Sequence, residues 1–419
     1  MTSNNWDLQP PAESELTDRA VAQESNRLQG QRIALLITGS IAALKAPLIA
    51  RSLRRQGADV VAFVSTEALR YTTIDALEWS TTNPVVTKLT AAAEHLSDED
   101  PFAAYVVAPA TYNTINKLRQ GIADSLITTT LASAIGRMEQ GKTKILIAPA
   151  MHGSLHNSIL QESLQHLKSL GVDYIAPRVA HGKNNLASET EIVAATIRTL
   201  SNSPLKNLPI LVTGGATPVP IDNVRLLTNR FTGTLGGKIA EELYLQGADV
   251  KLIKGQGTYQ PPSYLPVRAI ATYQEYRQAV IAELQQTKYR CAIFSAAVAD
   301  YQPKQIIPGK IPSGGALSKL ELIPTAKVIR EVRQQFPNLS MVTFKYQENI
   351  THQELMSIAN SRLEQGYQMV VANRGEEKGC NGEQIAYLVA PNQQPQQVTG
   401  KANIAIAIRQ WLESSIEII

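Results

Sequence analysis

Several features that would assign this chain of 419 residues to a class are scarce or missing. Its two cysteines, Cys291 and Cys380, are too few for a disulfide framework, which favours a reducing, cytoplasmic location. No run of 18 or more apolar residues occurs, so we expect no transmembrane helix, and the polar start of the chain predicts no secretory signal. The net charge is only +4 and no basic cluster is interleaved with aromatic residues, so nucleic acid is not an expected partner. Small anionic substrates remain compatible with this composition.

What is present is the composition of a globular protein, with 44% hydrophobic and 18% charged residues. At about 100–200 residues per domain, the length predicts two or three domains. The polar residues 1–30 predict a disordered extension. We expect a first domain over 31–200, a linker over 201–207 that contains Ser201-Asn202-Ser203-Pro204, and a second domain over 208–419.

The same strand–turn–helix opening occurs twice. An apolar strand is predicted at Arg32–Thr38, followed by the break Gly39-Ser40 and a helix over Ile41–Gln56. The pattern restarts with a strand at Pro209–Thr213 and a helix over Gly236–Gln246. In the second copy a long segment, Ala216–Leu235, separates strand and helix, and such loops are usually functional.

Other periodic segments complete the prediction. The apolar face of the first helix is expected to contain Leu44, Leu48, Ile49 and Leu53. Further strands are predicted at Asp59–Ser65, Tyr105–Ala108, Lys144–Ala148, Asp249–Lys254 and Arg290–Ser295, and further helices at Ser125–Glu139, Ser158–Leu170 and Glu189–Leu200. Continuously apolar strands that alternate with helices are typical of parallel sheets. We therefore predict an α/β protein with two Rossmann-like three-layer domains in tandem.

Small residues follow the strands of the first half. Gly39-Ser40-Ile41-Ala42, Pro109-Ala110-Thr111-Tyr112-Asn113 and Pro149-Ala150-Met151-His152 each come directly after a strand. Ligands of open α/β sheets bind at this edge, and a helix N-terminus there favours a phosphate, although each turn alone is equally compatible with a plain strand exit. The sequence lacks the dinucleotide-binding pattern G-x-G-x-x-G, which argues against one possible function, that of an NAD(P) oxidoreductase.

His95 is the first candidate for acid–base chemistry. It lies among Glu94, Asp98, Glu99 and Asp100. A histidine there can act as a general acid or base, and the alternative is a solvated loop histidine.

The second half has three candidate segments. Asn229-Arg230-Phe231-Thr232-Gly233 leads into a glycine-rich helix start that suits a phosphate or carboxylate. Asp300 is the penultimate residue of the segment Ala296–Tyr301, which follows a strand, and could bind a ribose, a base or a metal. Lys310 lies in the loop Gly309-Lys310-Ile311-Pro312-Ser313-Gly314-Gly315, where a lysine is either solvated or closes over phosphate charge.

Together these segments resemble the family of bifunctional phosphopantothenoylcysteine decarboxylase/phosphopantothenate–cysteine ligases of coenzyme A biosynthesis. The resemblance runs from about Gln31 to the C-terminus and depends on an ordered set of motifs. These are the Gly39 turn, His95 before Pro109, Gly121-Ile122-Ala123-Asp124, Pro149-Ala150-Met151, Asn229 before Thr232-Gly233, and Ala296–Tyr301 with Lys310 after it.

The resemblance implies a flavodoxin-like first domain that binds FMN and decarboxylates 4′-phosphopantothenoylcysteine to 4′-phosphopantetheine. The residues that match the family's flavin contacts are Gly39, Ser40, Ile41, Thr66, Pro109, Ala110, Thr111, Asn113, Ala150 and Met151. His95 and His152 match catalytic positions. The resemblance also implies homo-oligomers, as a trimer of dimers or a dodecamer, with FMN between subunits.

For the second half the resemblance implies a ligase that joins 4′-phosphopantothenate to cysteine through an acyl-nucleotide. Asn229 and Lys310 match catalytic residues, and Mg2+ is expected with the nucleotide. The residues implied for nucleotide or substrate binding are Gly214, Asp300, Lys310, Phe344, Lys345 and Asn373. The nucleotide is expected to be CTP, with ATP as the alternative that Phe344-Lys345 favours.

Two departures from the family pattern leave an alternative open. His152 stands where the family has an asparagine, and no cysteine lies in the flap region Val179–Asn185. The alternative hypothesis is therefore a ligase with a catalytically silent, FMN-binding regulatory first domain.

Overall fold

A computed structural model of the chain describes residues 9–10, 12–96, 100–314 and 320–415. Its contacts divide the chain into two compact units, Met1–Leu200 and Ser201–Ile419, and the division falls at the start of the segment predicted as a linker. Part of the predicted N-terminal extension, two acids beside His95 (Asp98 and Glu99) and the loop residue Gly315 lie outside the described residues.

The first unit is built on a five-stranded parallel sheet with strand order β2-β1-β3-β4-β6. This order places the first strand between the second and third, as in flavodoxin-like folds, and confirms the predicted fold class. The strands are β1 Arg32–Ile37, β2 Asp59–Val64, β3 Ala104–Ala110, β4 Lys144–Pro149, β5 Met151–His152, β6 Asp173–Tyr174, β7 Arg178–Ala180 and β8 Lys183–Asn185. The helices are α1 Ala46–Arg55, α2 Ile74–Thr81, α3 Tyr112–Arg119, α4 Leu126–Glu139, α5 Ser158–Ser169 and α6 Glu189–Leu200.

The start of the first predicted helix differs from the expectation. Residues Ile41–Lys45 form a 3-10 helix, and the α-helix begins only at Ala46. Of the predicted apolar face, Ile49 and Leu53 are fully buried, whereas Leu44 and Leu48 are 52% and 55% exposed. The tighter 3-10 turn shifts the phase of the segment, and small alanines pack against the sheet in place of the leucines. An apolar surface strip is left on this unit.

The last residues of the predicted extension also differ from the expectation. Leu28 is fully buried, and its backbone N–H donates to the carbonyl oxygen of Gln56 at 2.8 Å. The side chain of Ser25 bonds that of Gln56 at 2.6 Å. Because Leu28 buries its side chain and forms a backbone hydrogen bond, this part of the segment packs as part of the first unit.

The second unit has an eight-stranded sheet with order β14-β13-β9-β15-β19-β20-β21-β22, which confirms a second doubly wound α/β domain. Its last two strands run antiparallel, an edge that the sequence did not reveal. The strands are β9 Pro209–Gly214, β10 Ala216–Thr217, β11 Val219–Pro220, β12 Leu226–Leu227, β13 Asp249–Lys254, β14 Val267–Ala269, β15 Cys291–Phe294, β16 Ala297–Val298, β17 Tyr301–Pro303, β18 Leu322–Pro324, β19 Ser340–Gln347, β20 Met369–Arg374, β21 Ile385–Val389 and β22 Gln396–Thr399. The helices are α7 Thr234–Leu245, α8 Tyr273–Gln286, α9 Val328–Gln335, α10 His352–Glu364 and α11 Lys401–Ser414.

Separate apolar clusters pack on the two faces of this sheet, one with α7 and α11 and one with α8 and α9. The segment predicted as the loop Ala216–Leu235 contains three two-residue strands, and one of them, β10, pairs in parallel with β16. Among the described residues, no helix is long and apolar enough to cross a membrane.

Candidate active sites

The strand-end turns of the first unit converge at one edge of its sheet. Because β1 to β4 run parallel, the segments that follow them emerge on the same side. Thr38 ties two of them together: its hydroxyl donates to Pro109 O at 2.7 Å and accepts the N–H of Thr111 at 3.1 Å. Ala150 N donates to Ala110 O at 3.1 Å, which ties the turn after β4 to the end of β3. The structure thus brings together the turns predicted around Pro109, Thr111 and Ala150.

The turn at Gly39 joins the same edge. A Cβ on Gly39 would lie 2.5 Å from the Cβ of Glu67, so only glycine allows the turn after β1 to pack against the Ser65–Glu67 turn. Ser40 is half-buried and caps the 3-10 helix by accepting the N–H of Ala42. Thr66 and Asn113, which follow β2 and β3, are exposed, and Ile41, which follows β1, is 65% exposed. The edge therefore offers both polar donors and apolar surface to one ligand.

Met151 and His152 lie next to a hairpin formed by β7 and β8. Met151 pairs with Asn184 and His152 with Lys183, so the predicted flap region is an antiparallel extension of β5. The imidazole Nδ1 of His152 bonds the hydroxyl of Ser154 at 2.8 Å. His152 is exposed at this position.

His95 is not brought to this edge. The residue after it, Leu96, accepts from Arg137 near the end of α4, and Asp100 forms an ion pair with Arg32 at the start of β1. Both partners mark the amino-terminal edge of the sheet, and the six- and seven-residue strands between the two edges are about 20 Å long. The His95 Nδ1 atom is buried without a hydrogen-bond partner among the described residues. Within one copy of the chain, His95 and the turns at the other edge thus lie apart.

The second unit contains a cavity of about 700 Å3 at the carboxyl ends of β15, β19 and β20. Five of the residues predicted from the sequence line it: Asn229, Asp300, Phe344, Lys345 and Asn373. The cavity is large enough for a nucleotide-sized ligand.

Asn229 connects the wall of this cavity to β16. Its side-chain Nδ2 donates to the carbonyl oxygens of Ala297 and Val298 at 3.1 and 3.2 Å. Its Oδ1 has no hydrogen-bond partner among the described residues. The amide is thus held in place by the backbone, with an acceptor left for a ligand.

Glycines shape the start of α7 at the same cavity. Gly215, with φ of 85°, lines the cavity, whereas the predicted Gly214 does not. A Cβ on Gly236 would lie 2.7 Å from the Cα of Gly214. Gly214 therefore has a packing role that lets the helix start approach the strand end, and its neighbour Gly215 lines the cavity.

The cavity carries a strong excess of positive charge. Asp300 is the one carboxylate among its described lining residues, and it forms an ion pair with Lys327. Burial lowers the pKa of Lys345, and the nearby Arg362 guanidinium lowers it further. The five cationic side chains in the lining are Lys327, Lys345, Arg362, Lys378 and Lys401. Such a lining suits a polyanion.

Of these cations, sequence reasoning identified only Lys345. Lys327 carries a feature that could have identified it. It is the N-cap residue of α9, but its side chain forms no capping hydrogen bond. A cation is unfavourable at a helix N-terminus, so a lysine there suggests that an anion offsets its charge.

Lys310 does not line the cavity; it lies in an exposed loop that is anchored at the residue after it. Both backbone groups of Ile311 are held: its N–H donates to Asp222 Oδ2 at 2.9 Å, and its carbonyl accepts from Arg225 at 3.2 Å. Asp222 is buried and also accepts the backbone N–H groups of Val224 and Arg225 and the Arg225 guanidinium. The bond from Ile311 and these further donors hold the pKa of Asp222 well below its usual range. No sequence pattern indicated this anchor.

A protein-only metal site is not evident in the parts of the chain that the structure describes, since no three His, Cys, Asp or Glu side chains cluster there.

Comparisons with known proteins agree with this two-part organisation. Residues 205–415 match the family model for the DNA/pantothenate metabolism flavoprotein C-terminal domain, and residues 21–201 match the Flavoprotein family model. A coenzyme A biosynthesis bifunctional protein CoaBC from Thermococcus kodakarensis is 39% identical, with 84% of this chain and 87% of that protein covered. The protein of the same name from Methanocaldococcus jannaschii is 31% identical, with 84% and 85% covered. A solved structure of a DNA/pantothenate metabolism flavoprotein from Streptococcus pneumoniae is 28% identical, covers 49% of this chain and 99% of that chain, and has a TM-score of 0.44.

Proposed function

The chain belongs to the family of coenzyme A biosynthesis bifunctional proteins, and we propose that its two units catalyse two successive steps on one substrate. The second unit ligates 4′-phosphopantothenate to cysteine. The first unit then decarboxylates the resulting 4′-phosphopantothenoylcysteine to 4′-phosphopantetheine. The cationic cavity of the second unit, lined by Asn229 and Asp300, is the observation that carries the ligase half.

The ligase reaction balances in two transfers. A carboxylate oxygen of 4′-phosphopantothenate attacks the α-phosphorus of the nucleoside triphosphate; the new P–O bond forms as the bond to the β-phosphate breaks, and pyrophosphate leaves. The cysteine amine then attacks the acyl carbon, the acyl–oxygen bond breaks, and the nucleoside monophosphate leaves with a proton lost from the amine. Positive charge around the transferred phosphates stabilises the charge that develops on them.

Residues of the cavity divide this work. Asn229 offers its free amide oxygen as an acceptor to the N–H groups of the incoming amine, and Asp300 contacts the nucleotide or its Mg2+. Phe344 and Asn373 line the nucleotide side, and Lys310 closes over the phosphates from its anchored loop. CTP is the proposed nucleotide, and ATP is the alternative to be tested beside it.

The first unit is proposed to bind FMN at its converging turns. Ser40, Thr66, Thr111 and Asn113 offer donors that fit a phosphate and ring heteroatoms, and the exposed Ile41 offers apolar surface. The close glycine turn at Gly39 supports this fit, because a larger residue would displace the Ser65–Glu67 turn. Bound FMN supplies the reversible two-electron oxidation that decarboxylation of the cysteinyl group requires.

The protein's own groups bind and protonate the substrate in this step. His152, positioned by Ser154, is proposed to hold the substrate carboxylate. His95 is proposed to move a proton in the site of a neighbouring copy, since it lies at the opposite edge of the sheet from the turns of its own chain. Such a shared site requires a homo-oligomer, which the exposed apolar side chains of Leu44 and Leu48 also favour. We also propose a cytoplasmic location, because the two cysteines are free.

Flavin uptake and pyrophosphate release test the two halves separately. The purified chain is expected to be yellow, or to take up FMN when it is added. With 4′-phosphopantothenate, cysteine, Mg2+ and either CTP or ATP, pyrophosphate is expected with one nucleotide in preference to the other. A colourless protein that does not take up FMN would refute the first half. Pyrophosphate without CO2 would instead support the silent regulatory first domain suggested by the cysteine-free flap.

A further inference from the structure

The hairpin of β7 and β8 is held against the short strand that carries His152. Asn184, in β8, is buried, and its side-chain amide nitrogen forms a hydrogen bond with Nδ1 of His156 at 2.8 Å. A Cβ on Gly153 would lie 2.1 Å from the carbonyl oxygen of Gly182, so only glycine lets the tip of the hairpin approach this closely. These contacts fix the backbone of β8 relative to that of β5.

The register of these strands places Lys183 directly beside His152. The two residues are partners across the antiparallel pair β5 and β8, and Met151 is the partner of Asn184. Directly opposite residues project from the same face of a sheet, with their Cβ atoms about 4.5–5.5 Å apart. Met151 packs on the apolar core of the unit, and Asn184 is buried. His152 and Lys183 therefore project together from the other face, where both are exposed.

Lys183 offers an uncommitted proton donor at this position. Its ammonium group forms no ion pair and no side-chain hydrogen bond in the part of the chain that the structure describes. In contrast, Nδ1 of His152 is bonded to the hydroxyl of Ser154. His181 lies at the tip of the hairpin with φ of 51° and has no cross-strand partner in β5. A lysine ammonium carries three N–H donors and no acceptor, and lysine serves enzymes as a general acid.

Decarboxylation of a cysteinyl group consumes one proton, which must reach one particular carbon. The flavin-dependent oxidation removes a hydride from the CH2 carbon and a proton from the thiol, which leaves a thioaldehyde. The bond to the carboxylate then breaks, CO2 leaves, and the bonding electron pair moves towards sulfur as an ene-thiolate. The carbon that lost CO2 must gain a proton before the hydride returns to the neighbouring carbon. Without this proton the released ene-thiol is two hydrogens short of the product.

We propose that Lys183 is a catalytic residue that donates this proton to the carbon from which CO2 has left. His152 holds the substrate carboxylate, so the carbon that bears it lies next to the His152–Lys183 pair. The Nζ–H bond of Lys183 breaks as the new C–H bond forms, and the neutral amine recovers its proton from solvent. Before the transfer, the ammonium stabilises the negative charge of the ene-thiolate. The inference rests on the proposed decarboxylase function, and the separate thiol proton is left to His95 of a neighbouring copy.

The product of a single anaerobic turnover tests this assignment. The full chain with bound FMN is mixed with 4′-phosphopantothenoylcysteine in the absence of oxygen, CO2 is counted, and the product is identified by its mass. The native chain is expected to give 4′-phosphopantetheine and to end with oxidised flavin. Lys183→Ala is expected to release about one CO2 per flavin, to form a product two hydrogens lighter, and to leave the flavin reduced and bleached. A merely structural role of Lys183 would slow CO2 release without changing the mass of the product.

Three comparisons separate proton donation from charge and from folding. Lys183→Arg keeps the positive charge, but a guanidinium does not give up its proton, so this variant should also form the lighter product. His181→Gln is the matched control in the same hairpin and should form 4′-phosphopantetheine. Ethylammonium added to Lys183→Ala should restore 4′-phosphopantetheine in proportion to its concentration. FMN uptake by Lys183→Ala should equal that of the native chain.

Two results would overturn the assignment of Lys183. One is 4′-phosphopantetheine formed by Lys183→Ala with the flavin reoxidised, and the other is the lighter product formed by His181→Gln in place of Lys183→Ala. The failure of the proposed function has a different signature. A native chain that takes up FMN but releases no CO2 from 4′-phosphopantothenoylcysteine would refute the decarboxylase and, with it, the role of Lys183.

Discussion

Replacement of Asp222 by asparagine should loosen the loop that carries Lys310 on the side of Ile311. In the native chain Oδ1 of Asp222 accepts two backbone N–H groups and Oδ2 accepts Ile311 N–H and the Arg225 guanidinium. An asparagine retains one accepting oxygen, but its NH2 group then faces two donors. The substitution therefore removes the hydrogen bonds that Oδ2 of Asp222 accepts from Ile311 N–H and from the Arg225 guanidinium. These bonds fix Ile311 and, with it, the neighbouring Lys310.

The expected loss of ligase kcat follows from how the loop is held. Lys310 lies next to Ile311, and both backbone groups of Ile311 depend on the Asp222–Arg225 pair. A displacement of about 1 Å of a catalytic group commonly costs on the order of 100-fold in rate. We therefore expect Asp222→Asn to lower the ligase kcat by about 10- to 100-fold. The KM for the nucleotide should change little, because Asp222 does not line the cavity.

The assay is pyrophosphate release, with Asn223→Ala as the control in the same turn. Asn223 bonds the loop through its backbone N–H, which donates to Gly309 O at 3.0 Å and is retained in alanine, so this variant should keep full activity. The double variant Asp222→Asn/Lys310→Gln should be no slower than Lys310→Gln alone, since Asp222 acts through Lys310. Additive losses in the double variant would refute the reasoning.

The charge state of Asp222 adds a pH test. Hydrogen bonds to the carboxylate lower its pKa, so the anchor is fully formed above the ordinary aspartate pKa of about 3.9 and is lost only as the pH falls through the lower folded value. The ligase kcat should consequently show no acid limb from this group between about pH 5 and 8. A limb in that range that disappears in Asp222→Asn would contradict the assignment.

Three further predictions concern single residues. Lys310→Gln should abolish ligase turnover while FMN uptake is unchanged, and full ligase activity in this variant would refute the role given to Lys310. Burial raises the pKa of the Cys291 thiol to about 12, whereas Cys380 is exposed. At pH 8 an alkylating reagent should therefore modify only Cys380 in the folded chain and both thiols after unfolding. Rapid modification of both thiols in the folded chain would contradict the burial of Cys291. Leu28→Ala should lower the free energy of unfolding in urea by about 2–5 kcal/mol, because Leu28 is fully buried. The control Leu16→Ala, at an exposed site, should have almost no effect. Equal effects of the two substitutions would mean that the residues near Leu28 do not pack on the first unit.

Strand ends were the most predictable part of both units. Apolar runs such as Arg32–Ile37 and Pro209–Gly214 end at a glycine or within two residues of one, and parallel pairing then brings the following residues to one edge of the sheet. The strand-end position likewise indicated Asp300 as a site residue, whereas Lys345 was implied only by the family resemblance and Asn229 by the glycine-rich helix start that follows it; all three line one cavity.

Features that depend on tertiary packing were not predictable. Leu44 and Leu48 have the spacing of a buried face, but the 3-10 turn before Ala46 rotates them to the surface. Arg362 reaches the ligase cavity from a helix far along the chain, and no local pattern distinguishes it from a solvated arginine. The separation of His95 from the turns of its own chain likewise depends on which edge its loop crosses.

The stoichiometry of the complete reaction tests the central claim most directly. The full chain with bound FMN is supplied with 4′-phosphopantothenate, Mg2+, the preferred nucleotide and cysteine labelled in its carboxyl group, and pyrophosphate and labelled CO2 are counted over time. Two active units predict that pyrophosphate appears first and that CO2 follows until one molecule has formed per pyrophosphate, with 4′-phosphopantetheine as the product. Pyrophosphate with no labelled CO2 and accumulation of 4′-phosphopantothenoylcysteine would contradict it.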